Sequence, residues 1–432
     1  MESPRLRTLV SVAALVAVAA ASIPAGPAVA GRHAPPSAGS LGWSGGWATA
    51  VQQPQAVYEA PNWSVDGFTN QTLRQVVRVS AAGTRVRIRL SNRYGDQPLR
   101  LTGATIGRTG NGADVRPGTL RPLTFGGSRA TTIPPGRDLG SDALPLAIRP
   151  LDRLTVTLYF AGSTGPATFH EGALATTYRA DGDHRFDPGG AAFTAGPSQS
   201  WYYLAGLDVS GGTGRGGGTV VTYGDSILDG YGSTPDADNR YSDELAERLN
   251  RVGSPLSVVN TGLNGNLLLT DFPCYAGDSG LTRFRKDVLD QPGVRTAIVH
   301  LGLNDIAVAG LALPCAAPPV LTDATPLIEG HRALIRAAHA RGIKVLGATL
   351  IPVKDVPYYY DAEKEAIRDA LNHWIRTSGE YDGVVDFDRI LADPADADAM
   401  APAYKAVDGM HVNDAGTKVM ADAVNLKLLR NG

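Results

Sequence analysis

Thr219-Val-Val-Thr-Tyr-Gly-Asp-Ser-Ile-Leu-Asp-Gly-Tyr-Gly232 is the stretch on which the fold turns. Thr219 to Tyr223 are β-branched or aromatic and read as a short buried strand, cut off at Gly224. Asp225 and Ser226 follow at the carboxyl end of that strand, where open α/β sheets place their ligands. A serine on such a strand-to-helix corner is exposed, with backbone N–H groups near enough to stabilise negative charge. Gly-Asp-Ser also occurs in ordinary turns, which favour these residue types, so Ser226 alone does not decide the chemistry.

Downstream of this corner, strands alternate with helices. The pattern predicts helices over 239–252, 280–289, 325–340, 361–377 and 414–429. Between them it predicts strands over 256–260, 296–301, 343–350 and 383–387. Gly342 stands where a helix C-cap is required, and Pro352 stops the strand before it. Such alternation implies a parallel sheet covered on both faces. Upstream, from Leu41 to about Ser210, the pattern is instead one of short alternating strands broken by Gly, Pro and Asn. In Thr84-Arg-Val-Arg-Ile-Arg-Leu90, Val86, Ile88 and Leu90 face inward and Arg85, Arg87 and Arg89 outward. Further strands are expected over 75–79, 99–106 and 154–160. An antiparallel sandwich of the jelly-roll kind is the natural reading of 41–210. The Gly-rich run 211–218 then acts as a linker to an α/β domain, 219–432.

The first 30 residues read as a signal peptide. Arg5 and Arg7 precede an apolar run, Leu9 to Ile23, that is short for a membrane span. Ala28-Val29-Ala30 offers a small-residue cleavage site, and 31–40 follow as a flexible Pro/Gly/Ala/Ser leader. The alternative is an uncleaved anchor. Export to the extracellular space is the expectation, with no stable membrane insertion. The remaining ~400 residues suggest two domains. At 43% hydrophobic, 19% charged and a net charge of −2, there is no electrostatic reason to expect nucleic acid or an anionic membrane as partner. Cys274 and Cys315 are the only cysteines, which suits an exported chain with one disulfide; two free thiols are the alternative. Oligomeric state is not legible.

If Ser226 is a nucleophile, it needs a base, a group to orient the base, and donors for an oxyanion. Seven of the eight histidines have bland settings: leader, β region, buried strand or helix. His411 differs, because Asp408-Gly-Met-His411 lies on a loop just before the last helix. That spacing can bring the Asp408 carboxylate to Nδ1 and leave Nε2 for the serine proton. Two other predicted strands run into Thr261-Gly-Leu-Asn-Gly-Asn266 and Gly302-Leu-Asn-Asp305 on the same sheet edge. Gly265 lets a backbone N–H approach closely, and Asn304 offers a neutral amide donor. Taken singly, each is also ordinary Asn/Gly turn chemistry.

Taken in order, these four blocks resemble the SGNH, or GDSL, hydrolase family, over about half the chain from Thr219 onward. The resemblance implies a three-layer α/β/α fold on a parallel five-stranded, flavodoxin-like sheet. It implies Ser226 as nucleophile, His411 as base, Asp408 as its partner, and Ser226, Gly265 and Asn304 as the oxyanion hole. It implies no metal and no organic cofactor. Departures are mild: Ile227 replaces the Leu of the family name, and Asn266 stands where Asp is frequent. The segments 46–50, 68–80 and 85–95 look like the β domain that precedes the hydrolase in one bacterial branch of the family. Trp43, Trp47 and Trp63 could stack on sugar rings there, although packing is the commoner use of so large a side chain.

The first expectation is therefore a secreted esterase acting on short acyl esters, foremost acetyl groups on carbohydrate. The alternatives are a lipase or phospholipase, with Leu267-Leu-Leu269 and Leu311 to Pro314 as the apolar lid candidates, and an inactive carbohydrate-binding protein. A Cys274–Cys315 bridge would tie together two loops flanking the pocket, or merely staple the chain.

Overall fold

A computed structural model describes residues 42–56, 61–212 and 217–429. The expected signal peptide and leader lie outside the described residues, as do 213–216 of the expected linker. The described residues cluster as one compact unit.

Its amino-terminal half is built from two five-stranded antiparallel sheets. One centres on Gly83–Asn92 and Leu204–Ser210, the other on Gln71–Arg78, Arg153–Phe160 and Gly103–Arg108. Val86, Ile88, Leu90 and Leu207 of the first meet Leu73, Val77, Ile106 and Val156 of the second in one buried cluster, so the sheets are stacked as a sandwich. The strand expected over 99–106 is in fact two. Leu99–Leu101 pairs with Thr131–Ile133, and after Thr102 the chain switches into the second sheet as Gly103–Arg108. Arg87 and Arg89 point out of the sandwich core, as their alternation requires, but are only partly exposed. Both pair with Asp208, which is fully buried, and Arg89 reaches Gln291 of the second half at 2.7 Å. Trp47 and Trp63 are core residues, Trp47 standing edge-to-face on Trp201 and Trp63 stacked on Tyr202; Trp43 lies under the Arg87 guanidinium. All three tryptophans pack within the protein.

The second half carries five parallel strands: β1 (Gly218–Gly224), β2 (Leu256–Asn260), β3 (Val294–His300), β4 (Lys344–Ala348) and β5 (Gly383–Val385). Their order is β2-β1-β3-β4-β5, the flavodoxin-like arrangement. Every residue of β1 is buried, as a central strand covered on both faces requires. Helices α1 (Ser226–Asp229), α2 (Tyr241–Arg251), α3 (Gly280–Phe284), α4 (Leu303–Val308), α5 (Thr325–His339), α6 (Ala362–Thr377), α7 (Phe387–Leu391) and α8 (Asp414–Ala423) complete it. Two ends differ from expectation for local reasons. The strand expected to reach Phe387 stops at Val385 because Asp386 caps α7, its side chain accepting from Arg389 N. The last helix ends at Ala423 rather than near Leu429. Arg248 of α2 takes the Ala421 and Val424 carbonyls, and Asn425 bonds the Lys427 N–H instead of continuing the helix. The last strand of the sandwich ends at Ser210 and β1 begins at Gly218. Sheet order reverses between β2 and β3 about β1, so the crevice at the carboxyl ends of these three strands is where a ligand belongs.

Candidate active site

At the end of β1 the chain must turn sharply, and Gly224 allows it: a Cβ there would meet His300 O at 2.6 Å. Asp225 then caps a single helical turn, its Oδ1 accepting from Ile227 N at 3.1 Å. Gly230, at φ +110°, closes the turn. Arg283, fully buried, fixes the corner from below by donating to Gly224 O at 2.7 Å and Thr261 O at 2.7 Å. Ser226 is only 3% exposed, yet it lines an open cavity.

Across this mouth stands the loop before α8. His411 Nε2 lies 2.9 Å from Ser226 Oγ, and Nδ1 lies 2.5 Å from Asp408 Oδ2. Asp408 Oδ1 also accepts from His411 N at 2.9 Å and Met410 N at 3.0 Å, so the carboxylate is locked on the loop that bears the imidazole. A carboxylate only accepts, which places the ring proton on Nδ1 and leaves the Nε2 lone pair for the serine O–H. The His411 hydrogen bond, ahead of every other cause, holds the Asp408 carboxyl well below the usual carboxylate range. The ring of Tyr231 packs on His411 at 4.7 Å, and Gly232 leaves it room, since a Cβ there would stand 2.9 Å from His411 Cβ.

The segments after β2 and β3 line the same cavity. Gly265 sits at φ +68° under the Tyr275 ring, which a Cβ would strike at 2.7 Å. Asn304 lies in the first turn of α4, and its amide is oriented without ambiguity. Asn266 O, which can only accept, faces Nδ2 at 3.1 Å; Tyr359 O–H therefore donates to Oδ1 at 2.8 Å. The second Nδ2 hydrogen is left for the cavity that Asn304 lines. Burial pushes the Tyr359 hydroxyl far above its ordinary pKa, so it stays a donor at any working pH. Asn266 also has a physical reason to be an amide. Its Nδ2 donates to Ala276 O and to Asp278 O, both at 2.8 Å, while its Oδ1 accepts from Arg283. An aspartate could not supply the two donors. Asp305 accepts from Leu268 N and Leu269 N, joining the second and third blocks, and burial pushes its carboxyl up to about 6.

The cavity over Ser226 measures about 350 Å³ and its wall is largely apolar: Leu267, Phe272, Tyr275, Val308, Leu313, Tyr358 and Tyr359. Cys274 and Cys315 are joined, linking the loop that carries Phe272 and Tyr275 to the loop that carries Leu313. Among the described residues no group of three or more His, Cys, Asp or Glu is placed to hold a metal ion, and no helix is long and apolar enough to cross a membrane.

Residues 222–419 match the model of the GDSL-like Lipase/Acylhydrolase family. This part of the chain belongs to that family. Membership in the GDSL-like acylhydrolases makes it a hydrolase acting on esters. No curated protein sequence matches the chain. Among solved structures it is similar to a GDSL-like lipase from Bacteroides thetaiotaomicron (18% identity, 49% of this chain and 87% of that one, TM-score 0.35). It is also similar to a lipase/acylhydrolase from Enterococcus faecalis (18%, 49% and 95%, 0.36) and to a carbohydrate acetylesterase family member from Sinorhizobium meliloti (17%, 49% and 96%, 0.37).

The structure thus brings Ser226, His411, Gly265 and Asn304 to one cavity of the GDSL-like half, with Asp408 behind His411. Sequence reasoning passed over two neighbours of this set. Tyr359 comes from a loop outside the four blocks, and nothing in its local sequence signals its contact with Asn304. His300, read as a bland strand residue, places Nδ1 3.1 Å from Asp225 Oδ1 directly beneath the corner.

Proposed function

We propose that the chain is an exported serine carboxylester hydrolase whose acyl-binding site is the apolar cavity over Ser226. The observation that carries this reading is the 2.9 Å contact of Ser226 Oγ with His411 Nε2 at the floor of that cavity. His411 takes the serine proton as Oγ attacks the ester carbonyl. The N–H groups of Ser226 and Gly265 and the Asn304 amide receive the oxyanion. The alcohol leaves with the proton from His411, and water, deprotonated by the same nitrogen, then releases the acid from Ser226. The ion pair formed in passing is stabilised by Asp408. The apolar side chains that line this cavity suit an apolar acyl chain or aryl group longer than acetyl.

A second reading keeps the acetyl ester of a carbohydrate. It is favoured by Tyr358, which is 51% exposed, and by Tyr231, whose rings border the same cavity and could lie along a sugar. An inactive carbohydrate-binding protein is disfavoured by the assembled Ser226–His411–Asp408 relay. A series of p-nitrophenyl esters from acetate to decanoate, run beside acetylated xylan, separates the two enzymes. A maximum in kcat/KM at medium chain length is expected; a maximum at acetate together with release of acetate from xylan would overturn the first reading in favour of the second.

A further inference from the structure

The wall of the cavity formed by Phe272 and Tyr275 is fastened from the sandwich half. Gln52 Nε2 and Gln55 Nε2 converge on one acceptor, the Tyr275 carbonyl, at 3.2 and 2.6 Å. Gln53, Arg93 and Tyr94 converge on another, the Asp278 carboxylate, at 3.0, 3.1 and 2.7 Å. The donors are themselves held: Gln52 exchanges backbone hydrogen bonds with Phe169 inside the sandwich, and Gln55 N–H goes to Ser64. Gln52 is 1% and Gln55 5% exposed, so these amides are buried parts of the sandwich and not surface groups caught in passing. Gly277, at φ +71°, lets the loop lie against Gln52, whose Cβ would be 3.3 Å from a Cβ at 277. On the other side of the same loop, the Tyr275 ring packs over Gly265 and stacks on Phe272 with centroids 5.1 Å apart.

We propose that the sandwich sets the acyl selectivity of the esterase, by fixing the Phe272–Asp278 wall through Gln52, Gln55 and the grip on Asp278. None of these side chains lines the cavity over Ser226, so they act through Tyr275 and Phe272 as positioning residues. A wall held by five donors from a rigid sandwich keeps one width. Released, it moves, and an acyl chain that touches it loses binding, whereas acetate, too short to reach it, does not. The proposal rests on the reading of this cavity as the acyl site.

The test is Gln52→Ala/Gln55→Ala assayed on p-nitrophenyl acetate, butyrate and octanoate. Relative to the wild type, KM for octanoate should rise about tenfold while kcat on acetate stays within about twofold. Tyr94→Phe, which removes one donor from Asp278 and nothing else, should shift the same ratio in the same direction by about threefold, and it serves if the double variant does not fold. A uniform loss on all three esters, or an unchanged profile in folded variants, would overturn the proposal and leave the sandwich a purely structural support. A wild-type preference for acetate would instead count against the acyl reading of the cavity. The role of the sandwich would then still be decided by whether the variants' profile departs from the wild type's.

Discussion

Of the histidine–aspartate pairs around the single helical turn that carries Ser226, one lies at the rim of the sheet and one in its core. In both, a ring Nδ1 meets a carboxylate oxygen: His411 with Asp408 at 2.5 Å, His300 with Asp225 at 3.1 Å. They differ in what else they touch. His411 presents Nε2 to the serine hydroxyl, and its Asp408 partner is 39% exposed at the loop surface. His300 and Asp225 are both essentially buried, and the second bond of Asp225 goes to a backbone N–H, that of Ile227. On the proposed function, the same two residue types make a proton relay at the rim and a clamp on the corner beneath. The outer nitrogen decides which, because only an imidazole with a lone pair at the hydroxyl can move the proton.

The largest test of this contrast is removal of the relay. Ser226→Ala and His411→Ala should each lower kcat by about 10⁶-fold, and Ser226→Ala should abolish labelling by a fluorophosphonate. His300→Ala should still label, since it removes a hydrogen bond from the clamp and nothing from the hydroxyl; an equal loss in that variant would dissolve the distinction.

Asp408→Asn comes next, with kcat expected to fall on the order of 10⁴-fold because the amide can hold the wrong imidazole tautomer. It also carries a stability signature with a definite sign. The Asp408 carboxyl is depressed in the folded chain, chiefly by the His411 hydrogen bond, so it favours folding above its unfolded pKa and loses that contribution as pH falls below it. The difference in Tm between wild type and Asp408→Asn should therefore be largest at neutral pH and close below about pH 4. A gap that widens on acidification would contradict the assignment.

The oxyanion donors rank third. Asn304→Ala should raise the barrier by about 3 kcal/mol. Tyr359→Phe leaves the amide in place but unanchored at Oδ1, and the loss should be that of one hydrogen bond, about 1 kcal/mol, read in kcat with KM unchanged.

How far the sequence carries toward this picture depends on where each contact originates. Gly224, Asn260 and His300 end neighbouring parallel strands, so residues a few positions later must gather at one edge, and Ser226, Gly265 and Asn304 could be grouped from the strand pattern. Asp408 and His411 were readable because three residues on a turn suffice to join them. Tyr359 was not, because its meeting with Asn304 depends on the path of the loop after β4, which no periodicity encodes. Nor was the destination of Arg87 and Arg89. Alternation shows that they leave the sandwich core but cannot say that a second half of the molecule waits there with Gln291. The early end of α8 has the same origin: Arg248, far away in sequence, takes the carbonyls at its end.

Asp225→Asn makes the smallest and most discriminating change, because it repeats at the clamp the chemical edit made by Asp408→Asn at the rim. Asparagine is as good a helix cap as aspartate, so Oδ1 can still accept from Ile227 N. What is lost is the carboxylate character of the acceptor facing His300 Nδ1, the difference between a charge-assisted and a neutral hydrogen bond, about 1 kcal/mol of unfolding free energy. Neither atom touches Ser226 Oγ, so kcat should stay within about threefold, the scale set by less than one hydrogen bond. Urea unfolding beside a rate assay reads both quantities. One carboxylate-to-amide exchange should thus cost about 10⁴-fold at position 408 and almost nothing at position 225. If the two losses came out alike, His300 and Asp225 would have to take part in the proton transfer itself, and the division between relay and clamp would be wrong.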